Sequence, residues 1–265
     1  MTPPKTGKPR GVLRAPAPRG AFAHERRAPS IDLAPFVEHF WMVSWDVPGE
    51  PAVREVLPHP SVHVVFERGR AEVAGVPRGR FVRRLEGKGL VFGVKFRPGG
   101  FRPFVPFPVS RLTGRVVPVS EIFEMATEGL AARVLARPAM SAMIAAATAL
   151  LKGLLPARDP VAEEVAALVR RILDDPEILR VEDFARICGR GPRALQRLFA
   201  EFVGVSPKWV IRRYRLHEAL ARVDGGTVVD WPSLALDLGY FDQAHFIRDF
   251  RTLVGRTPAA YGRRR

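Results

Sequence analysis

The sequence predicts an α+β chain. A β-rich N-terminal domain, sandwich- or barrel-like, precedes an all-α domain in which a long helix joins two helix–turn–helix units. Three observations carry this expectation. Alternating apolar runs broken by turn residues fill positions 53–117. Apolar residues at helical spacing take over from position 120 onward. Finally, a short helix, a glycine turn and a second helix occur twice, around 181–202 and 234–254.

Residues 1–28 are rich in Pro, Gly and Arg and lack an apolar period, so a disordered basic arm is expected there. Residues 29–137 are expected to form the β-rich unit, with a sensing or dimerising role. Its opening stretch, 33–45, follows Asp32 with Pro35 and the aromatics Phe36, Phe40, Trp41 and Trp45, which suits a short helix running into a strand. Further on, Val62, Val64 and Phe66 share one strand face, as do Leu90, Phe92, Val94 and Phe96. Pro48-Gly49, Arg68-Gly69 and residues 98–100 supply turns between such runs. Phe92, Phe96, Phe101, Phe104 and Phe107 are read as core, with an apolar ligand pocket as the alternative.

Helical composition returns at 120–136 and 140–155. The uncharged stretch 138–151 is shorter than the ~20 residues a membrane span needs, so it reads as a buried or interface helix. It falls in a helical linker expected over 138–160. The all-α domain, 161–265, then opens with Val161, Val165, Leu168, Val169 and Ile172 as one apolar stripe.

The first helix–turn–helix begins with a helix over 181–188, whose apolar positions are Phe184, Ala185 and Ile187. Gly189-Arg190-Gly191 turns the chain, and Pro192 suits the first position of the next helix. That helix buries Leu195, Leu198, Phe199 and Phe202 and leaves Arg193, Gln196 and Arg197 outward. Gly204 ends it, and Ser206-Pro207 starts the connecting helix that carries Arg212, Arg213 and Arg215. In the second unit Leu234, Ala235 and Leu238 are the buried stripe, Gly239 breaks the helix, and Asp242 caps the next one. Phe246 and Phe250, four apart, face inward together, leaving Gln243, His245 and Arg248 outward. Arg, Gln and His side chains at the N-terminal end of such a helix are the types that meet base edges and phosphates in a major groove.

The net charge of +15 suits a polyanionic partner. It is, however, unevenly placed. Residues 1–159 hold 24 basic and 13 acidic side chains, against 18 and 14 in residues 160–265, so the helix–turn–helix half is the less basic one. The motif therefore carries more weight than the charge. Cys188 is the sole cysteine, so no intramolecular disulfide can form and no Cys-based zinc site is expected. His59 and His63 lack a third clear ligand, and turn or core roles are expected for them. No cofactor, metal or catalytic residue is expected. The N-terminus lacks a signal-type apolar core, which suggests a cytoplasmic protein with no membrane partner.

Four stretches carry a resemblance: PRALQRLF at 192–199, GVSPKWVIRRYRLHEAL at 204–220, LGYFDQAHFIRDFR at 238–251 and GRTPAAY at 255–261. Together they resemble the AraC/XylS family of bacterial transcription regulators. Gly191 stands where the family has a Ser cap, a change of only a few tenths of a kcal/mol. Trp231-Pro232 replaces the commoner aliphatic opening of the second unit. Upstream, LAPFVEHFWMV (33–43), LPHPSVHVVF (57–66), FGVKFRPGGF (92–101) and RVVPVSEIF (115–123) are similar to an uncharacterised domain found before AraC-type DNA-binding domains.

The resemblance implies a non-enzymatic, sequence-specific regulator of transcription whose partner is double-stranded DNA. Arg193, Ala194, Gln196 and Arg197 would read one major groove, and Gln243, Ala244, His245 and Arg248 the next. Arg212, Arg213 and Arg251 would contact phosphate. The N-terminal domain would respond to a small effector, form a homodimer, or both. The alternatives are a nonspecific architectural DNA binder and an alkylation-repair-like enzyme fused to the same domain. The latter needs an activated thiolate, for which only Cys188 is available.

Overall fold

A computed structural model describes Leu13 and residues 20–124, 127–225 and 230–263. Strands β1 (Ala21–Arg27), β2 (Val37–Val56), β3 (His63–Glu67), β4 (Arg70–Ala74), β5 (Phe81–Phe96) and β6 (Val116–Pro118) form one antiparallel sheet, ordered β1-β2-β5-β3-β4-β6. The β-rich half is thus built on one continuous hydrogen-bonded antiparallel sheet. Helices α1 (Leu130–Val134) and α2 (Met140–Gly153) follow it. The remaining helices are α3 (Pro160–Asp174), α4 (Val181–Ile187), α5 (Pro192–Phe202), α6 (Pro207–Asp224), α7 (Trp231–Asp237), α8 (Gln243–Val254) and α9 (Pro258–Gly262).

The alternation of the central strands sets the sheet's two faces. Phe40, Val94 and Val64 align across β2, β5 and β3, and Met42, Phe92 and Phe66 form the next row. All six are buried, because side chains two apart on each strand point into the same core. On the opposite face the indoles of Trp41 and Trp45 lie directly over their cross-strand partners Gly93 and Gly89, where a Cβ would collide with the ring. Phe96, Phe101 and Phe104 pack edge-on or stacked against one another within the main core, so these rings of the aromatic stripe fill the interior.

Three expectations change here. Residues 20–27 of the expected disordered arm are ordered, with β1 pairing along β2 from Ala21↔Asp46 to Arg27↔Phe40. An edge strand needs only a backbone partner and few buried side chains, so it leaves little apolar period. Residues 1–12 and 14–19 of that arm lie outside the described residues. The short helix expected ahead of β2 is instead a pair of tight turns, with Val37 N–H bonded to Leu33 O at 2.8 Å. The expected linker helix, α2, belongs to the sheet's core: Met140, Met143, Ala147 and Leu151 recur at helical spacing and are buried there. Only the short stretch 154–159 then connects to α3.

The helical half contains two cores strung along α6. Val210, Ile211 and Tyr214 join Val165, Val169, Ile172, Phe184, Leu195 and Phe199 in the first. Leu216, Ala219, Leu220 and Val223 join Leu234, Ala235, Phe246, Phe250 and Tyr261 in the second. The two halves of the chain interlock. Val76 enters the first helical core, while Leu13 and Leu57 enter the second. Arg102 pairs with Glu201 at 2.6 Å, and Glu55 takes Arg256 at 2.7 Å and Arg80 at 3.2 Å. His59 stacks on His217 with ring centroids 4.4 Å apart.

Candidate nucleic-acid interface

Helix α4 ends at Gly189, whose φ of 61° is left-handed and suits a residue without a side chain. The N–H groups of Gly189 and Arg190 return to the carbonyls of Arg186 and Ala185 and close the helix end. Ile187, expected in the apolar stripe of α4, is 41% exposed. The helix is only two turns long, and Phe184 with Ala185 already covers its contact with α5.

Helix α5 starts at Pro192 after Gly191, which offers no side-chain cap. It buries Leu195 and Phe199, with Phe184 and Phe199 edge-on at 6.1 Å. The same register turns Arg193, Gln196 and Arg197 to solvent and leaves Ala194 half-buried. The C-terminal end of α5 meets the N-terminal half through Glu201, and Thr113 Oγ1 donates to the carbonyl of Gly204 just beyond it.

The second unit repeats the construction with different chemistry. Leu234, Ala235 and Leu238 are buried, and Gly239 turns the chain at φ 73°. Asp242 Oδ1 accepts the His245 N–H at 2.6 Å, the cap its sequence position predicts. Phe246 and Phe250 are fully buried, with ring centroids 5.6 Å apart. Gln243, Ala244, Arg248 and Arg251 are exposed on α8.

His245 is drawn inward. Its ring stands edge-on to Tyr240 at 5.4 Å, and its Nε2 accepts from Arg212 at 2.6 Å, since a guanidinium only donates. Arg212 also pairs with Asp249 at 3.2 Å, so this group ties α6 to α8.

The expected phosphate contact at Arg213 is not available. Its side chain is 1% exposed, its guanidinium sits 4.3 Å from the Trp209 ring centroid, and it donates to Arg78 O at 3.2 Å. Burial pushes its pKa down to about 10. Arg215 is also interior, where it donates to the carbonyls of Ile172 and Asp175 at the C-terminal end of α3. Both arginines lie on a helix enclosed by two cores, a setting that a local reading of charged residues misses. Of Arg212, Arg213 and Arg251, only Arg251 stands exposed without being enclosed by the fold.

Phe241 carries no periodic or motif signal in the sequence beyond its place in the chain. It is 93% exposed at the turn into α8, and its position one residue before the Asp242 cap is the available signal. Cys188 is partly buried and its thiol is pushed up by desolvation, the opposite of the activation a methyl-accepting thiolate requires. His63 accepts the Trp41 indole N–H at 3.1 Å, so it and His59 have separate partners. Among the described residues, no group of three His, Cys, Asp or Glu side chains is placed to hold a metal ion. Among them, too, no helix is long and apolar enough to cross a membrane.

Two short helix–turn–helix units, each presenting a polar helix start beside a buried aromatic seam, define a double helix–turn–helix protein. A helix-turn-helix domain family matches residues 184–264, which run from α4 through α9. A domain of unknown function, DUF6597, matches residues 25–118, nearly the whole sheet. The XylDLEGF operon transcriptional activators 1 and 3 of Pseudomonas putida are each 32% identical over 89 residues, covering 33% of this chain and 27% of theirs. This chain therefore aligns with about a quarter of the length of those relatives. Among solved structures, ToxT from Vibrio cholerae is similar with a TM-score of 0.39 at 9% identity, over 91% of this chain and 97% of that one. The chain carries an AraC/XylS-type helix–turn–helix domain at its C-terminus, preceded by the domain of unknown function.

Proposed function

We propose that the protein is a sequence-specific DNA-binding regulator of transcription in the cytoplasm, without enzymatic activity, in which α5 and α8 enter successive major grooves on one face of the duplex. One observation carries this reading. Each helix turns its aromatic seam inward and leaves a compact polar set outward: Arg193, Gln196 and Arg197 on α5, and Gln243 with Arg248 on α8. Arg pairs with guanine and Gln with adenine, and both can be read bidentately at the groove floor. Ala194 and Ala244 permit close approach of the helix backbone beside them. His245 supports the reading from behind by holding Arg212, and Arg251 supplies a phosphate contact.

We assign the sheet with α1 and α2 as the sensing or dimerising unit. The contacts of Arg102 with Glu201, Thr113 with Gly204, and Glu55 with Arg256 link it to the ends of α5 and α8. A small effector, or a second chain, would shift DNA affinity only by favouring one arrangement of these contacts over another.

Footprinting with the full chain tests the reading. Two protected major-groove segments about 34 Å apart on one face are expected. Competition by unrelated duplexes should be at least a thousandfold weaker, on the order of the usual specific-to-nonspecific ratio. Equal competition by every duplex would replace this reading with a nonspecific architectural binder.

A further inference from the structure

We propose that Phe241 is a base-reading residue, and that it recognises the 5-methyl group of a thymine at the edge of the groove entered by α8. This rests on the DNA-binding reading above. Phe241 occupies the position just before a helix cap, where an apolar side chain ordinarily packs on the fourth residue of the helix. That residue here is Phe246, which is fully buried and already enclosed by Trp231, Tyr240 and Phe250. Tyr240, the neighbour of Phe241, has taken the inward place. The fold therefore makes no use of the Phe241 ring, which stands 93% exposed.

An aromatic ring held in water has no favourable contact there, so covering it is favourable in proportion to the apolar area removed from water. Its location selects what covers it. Phe241 stands at the N-terminal end of the helix that also exposes Gln243 and Ala244, the end of a recognition helix that approaches base edges. In the major groove the apolar feature available to such a ring is the thymine methyl. Gln243 beside it matches adenine. The second unit would then read a segment containing A·T pairs, while Arg193 and Arg197 of the first unit favour guanine. The two halves of one binding site would differ in base composition for a reason visible in the side chains.

The test uses the full chain and duplexes it selects from a randomised pool. Each thymine in the segment protected by α8 is replaced singly by deoxyuridine, which removes only the methyl. The native protein should bind about fourfold more weakly at one such position, the worth of one buried methyl. Phe241→Ala should bind the thymine and uracil duplexes equally, and Phe241→Leu should retain part of the difference. Because the ring is exposed, both variants should melt like the native chain, which checks folding. Native binding that ignores every thymine-to-uracil change overturns the proposal, as does a Phe241→Ala variant that remains equally sensitive. The same applies if Phe241→Ala leaves DNA binding intact but abolishes transcription with purified polymerase, since the ring then meets protein. Failure to select any preferred duplex instead defeats the underlying DNA-reading assignment.

Discussion

Asp242 offers a direct way to weigh the geometry of a candidate recognition helix against its charge. Its Oδ1 accepts the His245 N–H at 2.6 Å, closing one of the open donors in the first turn of α8. Asp242→Ala removes both this bond and the negative charge at the helix N-terminus. The lost cap should cost about 1 kcal/mol, and the lost charge–dipole attraction a further ~0.3–1 kcal/mol. Asp242→Asn keeps an equivalent cap and removes only the charge. The difference between the two variants therefore isolates the hydrogen bond. Native-state amide exchange should show the His245 N–H exchanging about fivefold faster in the Ala variant than in the Asn variant. Both variants lose the same repulsion from DNA phosphates, so any excess loss of DNA affinity in the Ala variant reports the ordering of Gln243 and Ala244. Identical amide exchange and stability in the two variants would refute the view that this cap orders the start of α8.

Three further outcomes follow from the packing and charge. Arg251→Ala should lower the slope of log affinity against log salt by about 1 in titrations with duplex DNA, while Arg213→Ala should leave that slope unchanged and lower thermal stability. Leu151→Ala should destabilise the sheet's core by about 2–5 kcal/mol in urea unfolding, and a negligible effect would return α2 to the role of a linker. Acid should weaken the fold before it weakens the carboxylates. Desolvation and the Lys95 charge hold His63 at a pKa of about 3, and burial with the Arg26 charge holds His24 at about 4. The unfolded chain takes up protons below about pH 6.5 that these folded histidines refuse, so stability falls as pH drops through 6.5 toward 4. At pH 5.5 the loss should be about 1 kcal/mol for His63, less for the more exposed His24, and His63→Gln should flatten the dependence measured by urea unfolding. Glu38 acts below that window. Burial opposes its ionisation, but hydrogen bonds from His39 and Lys95 and the Lys95 charge outweigh this and hold its carboxyl well below the usual range.

Much of the site follows from local spacing. Phe246 and Phe250 are four apart, Asp242 stands ahead of the first, and Gly239 precedes both; each took the role that spacing predicts. The same holds for Leu195 and Phe199, which leave Arg193, Gln196 and Arg197 exposed, and for the alternating Val62, Val64 and Phe66. These features depend on residues within a few positions of one another, so periodicity, capping and turn chemistry suffice to place them.

What tertiary structure decided depends on partners far along the chain. Arg213 reads as a solvated helix cation, yet α6 is enclosed by two cores and the side chain lies against Trp209 with its donor on Arg78. Ala21–Arg27 has no apolar period, yet the long backbone of β2 gives it an edge to pair with. Met140–Gly153 is a helix from sequence alone, but whether it links or packs depends on the sheet face that receives Met143 and Leu151. Tyr240 and Phe241 are adjacent aromatics of similar size, yet in the fold Tyr240 packs against Phe246 while Phe241 stays exposed. Periodicity states which faces of an element are apolar. Burial of a particular cation or ring depends on what long-range packing brings against that face, and this is not encoded in any short stretch of the chain.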